Sequence, residues 1–327
     1  MVLTMAETIA AVVVTYNRKH LLIECLDALM SGTRLLDKII IIDNGSTDKT
    51  SNLLQEKGYL EKSCIDYIQL PENTGGAGGF YEGVKYAYEA GYDWLWLMDD
   101  DAEPKPDALE KLCEHLSEPN VSALSNLKVD PKGKIASTHL GFVNSPYNLD
   151  FEAEIFREVE YSTIQDSKTI ELSFTSFVGL LVKREAIEQV GFPKKELFIH
   201  FDDIEYSFRL MLAGKILLVT DSIILHKEAA GKSAIAKKFL GKTLYRPAYE
   251  KLWLSYYGTR NLVWLRKFKH STAKFYLKLL KNYSRSIIAI LLFDDHKLKR
   301  LRFLTEAYRD GINGNFDNLK PKTILYG

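Results

Sequence analysis

Residues 94–104 read WLWLMDDDAEP. Five large apolar residues lead without a break into three carboxylates. A short, uninterrupted apolar run fits a strand buried on both faces, the usual state of a strand in a parallel sheet. Three like charges at the end of such a strand are costly unless a cation meets them. Side chains alternate along a strand, so Asp99 and Asp101 share a side if the strand continues. Hard oxygen ligands of this kind suit Mg2+ or Mn2+, which commonly share their coordination with phosphates. The competing reading is a solvated acidic loop.

The same pattern recurs upstream. Residues 9–15 (IAAVVVT) form a β-branched apolar run that ends at Tyr16-Asn17-Arg18, and 38–42 (KIIII) ends at Asp43-Asn44-Gly45. Residues 65–70 predict a third strand. Helical spacing predicts helices over 19–31, 46–57 and 80–90, the second capped by Ser46 or Thr47. Strand and helix alternating at this interval predict an α/β fold: a mostly parallel sheet flanked by helices. Ligands in such sheets sit beyond the carboxyl ends of the strands. The polar clusters at 16–18, 43–44 and 99–101 therefore predict one site assembled from three places.

Further strands are expected near 121–129, 170–182 and 216–225, with a short helix over 184–190. Two more motifs carry chemistry. In LFIHFDDIEYSFR (197–209), Asp202, Asp203 and Glu205 open a helix. Acids there are favoured by the helix dipole alone, and the sharper reading makes one of them a general base. In SIILHKEAAGKS (222–233), His226 ends a strand; a lone histidine is commonly structural, and the acidic cluster raises its value as a metal ligand. The glycine cluster at 75–79 fits neither GxGxxG nor a P-loop. It leaves a close backbone approach to a ligand or a helix start, or a tight turn.

The 327 residues predict about two domains. Composition is ordinary for a globular protein, and Cys25, Cys64 and Cys113 form no CxxC pair. That excludes a disulfide scaffold or zinc ribbon and fits a reducing compartment. The net charge of zero hides a split. Residues 232–327 hold 21 Lys and Arg against 6 Asp and Glu; the first 231 hold 22 against 37. A boundary is expected near 231, with helices over 249–267 and 274–292. The basic part also carries Trp253, Tyr256, Tyr257, Trp264, Phe268, Phe275 and Tyr276. Basic and aromatic residues on helices fit an anionic membrane surface. The alternative is packing onto the catalytic domain or a second subunit. No nucleic-acid module is evident, so nucleic acid is not an expected partner. No run reaches the ~20 apolar residues of a membrane span, and the start does not read as a signal peptide. The expected address is cytoplasmic, peripheral at the inner face of the cell membrane.

Taken in order, VVVTYNR, IIIIDNGSTD, NTGGAGGF, LWLMDDD, GLLVKREAIEQVGFPKKELFIHFDDIEYSFR and LHK resemble the family 2 glycosyltransferases, the inverting GT-A class, over roughly residues 8–231. The NxGGAGGF form is most similar to bacterial galactofuranosyltransferases, and rhamnosyltransferases share much of it. The resemblance implies a GT-A catalytic domain over 1–231 and a helical, basic region over 232–327. It implies that Thr15, Tyr16, Asn17, Arg18, Asp43, Asn73, Gly75, Gly76 and Asp100 hold the nucleotide sugar. Asp99, Asp101 and His226 would hold Mn2+ or Mg2+. Asp203 matches the catalytic base, with Asp202 orienting it or binding the acceptor; the family often has Glu-Asp at this pair. The implied donor is UDP-galactofuranose, with dTDP-L-rhamnose the alternative, and the acceptor a lipid-linked glycan. A nucleotidyltransferase would need a glycine-rich, basic signature that residues 15–20 lack. A non-catalytic nucleotide-binding scaffold predicts loss of an acid, yet Asp99, Asp101 and Asp203 are all present.

Overall fold

The computed structural model describes residues 7–136, 139–143, 156–157, 159, 161–227, 234–239, 242–269 and 273–327. The boundary expected near 231 lies outside them. The chain folds as two units. One comprises Met1–Phe142, Arg157–Lys195 and Asp202–Ala229; the other comprises Val143–Phe156, Glu196–Phe201 and Ala230–Gly327.

The first unit runs β1 (Ile9–Thr15), α1 (Lys19–Met30), β2 (Lys38–Asp43), α2 (Thr50–Glu56), β3 (Ile65–Gln69), α3 (Gly75–Glu89), β4 (Trp94–Asp99), β5 (Ala102–Pro104), α4 (Ala108–Cys113) and β6 (Val121–Val129). It continues through β7 (Leu140–Val143), β8 (Phe156–Arg157), α5 (Tyr161–Asp166), β9 (Thr169–Leu172), β10 (Phe174–Thr175), β11 (Leu180–Lys183), α6 (Arg184–Val190), α7 (Asp202–Ala213) and β12 (Lys215–His226). The main sheet has the order β3-β2-β1-β4-β11-β6-β12-β5, and β9 also pairs with β12. From β3 to β4 the pairing is parallel; β11 runs antiparallel to β4 and β6. The chain winds outward from β1 through β2 to β3, then returns to lay β4 on the other side of β1. That reversal is a topological switch point, where a crevice opens beyond the strand ends.

Every residue of β1 is buried. Its pleat feeds two cores: Ile9, Ala11 and Val13 on one face, and Ala10, Val12 and Val14 on the other. Period-2 alternation with both faces covered is why the strand reads as one apolar run.

Three sequence expectations need correction. The helix after β2 starts at Thr50, not Ser46, and Lys49 before it has a φ of 66°. The intervening amides are taken by side chains: Ser46 N–H donates to Asp43 Oδ1, and Thr47 and Asp48 N–H donate to Asn17 Oδ1. Helix α3 starts at Gly75, inside the glycine cluster rather than after it. The Asn44 side chain holds its first turn, and Gly79 and Gly83 are required by packing. A Cβ at Gly79 would sit 2.5 Å from Val14 Cγ1, and one at Gly83 would sit 2.3 Å from Val12 Cγ1. The helix lies closer to β1 than any side chain permits, and this overrides the poor helix propensity of glycine. The single strand expected over 170–182 is three: it breaks at Ser173 and again over 176–179, where Gly179 turns at φ +75° against the Asn126 side chain.

The second unit contains the hairpin β13 (Ala234–Phe239) and β14 (Lys242–Pro247), then α8 (Leu252–Lys269), α9 (Ala273–Phe293), α10 (Lys297–Asn313) and α11 (Lys320–Tyr326). Arg260 and Asn261 on α8 are buried and hold the segment Glu196–Phe201. Asn261 Nδ2 donates to the carbonyls of Leu197, Ile199 and His200 at 2.8–3.0 Å, and Arg260 Nη2 donates to Leu197 O at 3.0 Å. Phe198, His200 and Phe201 there take φ values of 65–70°. Such residues cost about 1–3 kcal/mol each and persist only where surrounding bonds over-determine them.

The aromatic residues expected to face lipid are mostly turned inward. Tyr256, Tyr257 and Phe275 are buried, Trp253 and Trp264 are half-buried, and Tyr276 is exposed. The side chain of Phe268 lies outside the described residues. Apart from Tyr276, the large apolar residues that α9 exposes are aliphatic: Leu277, Leu280, Ile288, Leu291 and Leu292. Lys281 and Arg285 share that face. Among the described residues no helix is long and apolar enough to cross a membrane.

Candidate active site

The ends of β1, β2 and β4 meet at the switch point. Thr15 is in register with Asp43, and Val14 with Asp99. Strand β4 stops at Asp99, and Asp100 and Asp101 form a turn before β5. Alternation therefore ends one residue into the acidic run, so the strand argument for pairing Asp99 with Asp101 does not hold. Instead Asp100 and Asp101 converge on one cation: Arg18 Nη1 lies 3.2 Å from Asp100 Oδ1 and 3.1 Å from Asp101 Oδ2. Thr15 Oγ1 donates to Asp100 Oδ2 at 2.7 Å. His226, which pairs with Ala102 at the end of β12, brings Nε2 within 3.3 Å of Asp101 Oδ1. Its ring meets that of His139 edge to face at 4.8 Å.

The Asp99 carboxyl, which takes no such bond among the described residues, is pushed up to about 7 by burial and by repulsion from Asp101 and Asp100. Asp100 is pushed up to about 6 by burial, against the pull of Arg18 and Thr15. Three crowded carboxyls share one guanidinium, which stands where a cation is needed. In charge and in donor type, Asp99, Asp101 and His226 fit a hard divalent ion. Among the described residues, however, no three His, Cys, Asp or Glu side chains close on one point. Mg2+ keeps several of its positions for water and phosphate oxygens, so a partial protein cage is its ordinary condition.

On the β2 side, Asp43 is fully buried, with Oδ1 accepting from Ser46 N–H and Oδ2 from the Tyr67 hydroxyl at 2.5 Å. Asn44 organises the glycine cluster. Its Oδ1 accepts from the Thr74 amide at 2.9 Å, and its Nδ2 donates to Gly75 O at 2.9 Å and to Asn73 Oδ1 at 3.2 Å. Asn73 Oδ1 also accepts from Gly75 N–H. Asn17 sits at φ 55° and braces the 47–48 loop, while Tyr16 is exposed. Gly76 differs from its neighbours: a Cβ there would meet nothing within 4 Å. Asn73 and Gly75 thus shape this turn, and Gly76 leaves open space beside it.

The second acidic pair opens α7. Asp203 Oδ1 accepts from the Ile204 amide at 2.7 Å, and burial pushes its carboxyl up to about 6. Asp202 is pushed well above the carboxylate range by burial, then by Asp203, with Asp99 adding to it. The acids of β4 and α7 are thus close enough to repel one another.

Sequence reasoning placed Asn44 in the polar cluster at 43–44 without assigning it a role, and it passed over Tyr67 and Lys128. Lys128 had a signal: it is a lone charge within a strand whose neighbours are otherwise buried.

The comparisons bear on the family and the fold. The description Glycosyl transferase family 2 matches residues 10–191. The chain belongs to that family and is a glycosyltransferase with the GT-A architecture. Among its relatives is galactofuranosyltransferase GlfT1 of Mycolicibacterium smegmatis, 30% identical over 216 residues, covering 65% of this chain and 68% of that one. Poly-beta-1,6-N-acetyl-D-glucosamine synthase of Staphylococcus aureus is 26% identical over 217 residues, covering 64% of this chain and 47% of that one. A solved mannosyltransferase from Pyrobaculum calidifontis, in complex with GDP-Man and Mn2+, superposes with a TM-score of 0.53 at 15% identity, covering 98% of this chain and 87% of that one. At that identity the likeness concerns the fold.

Proposed function

We propose that the protein is an inverting, metal-dependent glycosyltransferase that moves galactofuranose from UDP-galactofuranose to a hydroxyl of a lipid-linked glycan. One observation carries the reading: Thr15, Arg18 and His226 converge on the acidic turn at the switch point of the sheet, where a nucleotide sugar is bound in this fold. The donor assignment is supported by the galactofuranosyltransferase relatives, matched over about two thirds of their length.

Thr15, Asp43 and the turn from Asn73 to Gly76 line the nucleotide and diphosphate side, with Tyr16, Asn17, Arg18 and Asp100. Arg18 is a cation already beside the acids, within reach of an incoming diphosphate. A divalent ion on Asp99, Asp101 and His226 would neutralise the leaving diphosphate as the sugar–oxygen bond breaks. Asp203 takes the proton of the acceptor hydroxyl as that oxygen attacks the anomeric carbon from the opposite face. A carboxyl near 6 is ionised at neutral pH and is a stronger base than an ordinary aspartate. One displacement and no covalent intermediate give inversion. Asp202 orients the base or the acceptor.

In this reading the first unit performs the chemistry and the second meets an anionic membrane at the cytoplasmic face. The exposed aliphatic stripe of α9, with Lys281 and Arg285 on the same face, supports that placement.

Thermal stabilisation by UDP, dTDP, GDP and CDP, each with and without Mn2+, tests the reading. A ligand that binds the folded state raises the melting temperature by mass action. A manganese-dependent shift with UDP is expected. A shift with dTDP alone moves the donor to dTDP-L-rhamnose, and no shift with any of the four overturns the donor and metal assignments.

A further inference from the structure

Strand β6 carries a charge in a place built for apolar side chains. Lys128 is fully buried. Its Nζ donates to Ser125 Oγ at 2.9 Å and to Thr175 Oγ1 at 2.6 Å, and those two hydroxyls are 2.8 Å apart. Among the described residues it forms no salt bridge, and the one charge that acts on it is Asp203. Thr175 extends the cluster to α7. Its amide donates to Ser207 Oγ at 3.2 Å, and Ser207 Oγ lies 2.8 Å from Asp203 O. Lys128, Ser125, Thr175, Ser207 and Asp203 thus form one polar seam through the core.

A buried ammonium is costly without a partner. A core strand would be more stable with Leu or Met here, so the amine calls for a function. Burial pulls it down to about 7, while Asp203 pulls it back up. The effect is mutual: against its burial, Asp203 is pulled down by the Ile204 amide, then by its own amide, and then by the charge of Lys128. The other groups around α7 do not replace it. Asp202 adjoins Asp203 and carries the same charge, and Asp99 acts on Asp202 from the end of β4. Glu205 is paired with Arg209 at 2.8 Å. From β10 comes the Thr175 hydroxyl, and Glu185 and Glu188 of α6 face solvent. On β12, Asp221 pairs with Lys111, and His226 is beside Asp101.

We propose that Lys128 is a positioning residue for the general base: its amine, anchored between Ser125 and Thr175, keeps Asp203 ionised and in place to take the acceptor's proton. The inference rests on Asp203 being that base.

The test is the pH profile of kcat/KM for UDP release from UDP-galactofuranose with an alkyl galactoside acceptor. It uses the full chain as wild type, Lys128→Met, Lys128→Arg and Asp203→Asn. Lys128→Met should move the acidic limb up by about one pH unit, roughly a tenfold loss below the limb. Lys128→Arg keeps a cation and should leave the limb at or below the wild-type position. UDP-induced thermal shifts should match in all the Lys128 variants, which a collapsed site would not allow. If Lys128→Met does not fold, Thr175→Val removes one anchor and should move the limb in the same direction. An unmoved limb in a folded variant, with Asp203→Asn inactive, overturns the role of Lys128 alone. Substantial turnover by Asp203→Asn overturns the base assignment and this inference together.

Discussion

The Thr15 hydroxyl, at the end of β1, donates a 2.7 Å hydrogen bond to the buried carboxylate of Asp100. The bond ties the first strand of the chain to the acidic turn that follows the fourth. With Arg18, it is what holds Asp100 against the repulsion of its neighbours. Thr15→Val keeps the shape and removes the donor. A hydrogen bond to a charged group contributes about 1.5–3 kcal/mol, and a buried acceptor left unpaired loses that. Urea denaturation at pH 8 should show a loss of that size, smaller at pH 5, where Asp100 is protonated. Equal losses at both pH values would count against an ionised Asp100.

The acidic turn also sets how stability depends on pH. Asp99 near 7 and Asp100 near 6 both lie above the 3.8 of an unfolded aspartate. The folded state therefore binds protons that the unfolded chain has released. Stability from these groups is fully present below about pH 4 and falls as pH rises through 6 and 7. A divalent cation competes with those protons. Mn2+ should raise the melting temperature at pH 8 and do little at pH 5, and Asp99→Asn should blunt both the pH dependence and the metal effect. A melting curve indifferent to Mn2+ at pH 8 would remove the metal from this site.

The strand ends were legible because each is a β-branched run closed by polar residues, and buried strands leave that trace in any sequence. The expected location of the site followed from them. Helix starts were less legible, since the groups that set them lie far along the chain. Asn17 holds amides 30 residues on, and Asn44 holds the turn before α3. Gly79 belongs to a cluster that left a ligand approach, a helix start or a tight turn open; it and Gly83 instead serve contact with Val14 and Val12, which only the packed structure reveals. The tail's aromatic residues suggested lipid by composition. Burial separated them, leaving aliphatic residues on the exposed face of α9.

That face yields a sharp expectation. Leu277 and Ile288 are 68% and 56% exposed, and they lie on one side of α9. Replacing both with Glu adds two charges beside Lys281 and Arg285 and removes the apolar surface of the proposed membrane contact. Sedimentation with phosphatidylglycerol vesicles should fall at least tenfold, while UDP-induced stabilisation stays unchanged. Vesicle binding that survives the double substitution would send the membrane contact elsewhere on the molecule.

Gly76 and Gly83 stand on the same helix, and the structure gives them opposite reasons for lacking a side chain. At Gly83 a Cβ would lie 2.3 Å from Val12 Cγ1 and 3.0 Å from Ile42 Cγ1. Gly83→Ala must push α3 away from β1, and overpacking of this kind costs about 1–3 kcal/mol. At Gly76 the same atom would meet nothing within 4 Å. Gly76→Ala should leave the fold as stable as before or slightly more so, since alanine is favoured over glycine in a helix by up to about 1 kcal/mol. Its effect belongs to the ligand. If the donor's diphosphate passes over this turn, the added methyl raises the KM for UDP-galactofuranose and weakens UDP binding at unchanged stability. Urea denaturation and UDP titration of the two variants separate the cases. Loss of UDP affinity in Gly76→Ala, with loss of stability in Gly83→Ala, assigns the first glycine to the ligand and the second to packing. Unaltered affinity in Gly76→Ala would take the turn out of the donor site.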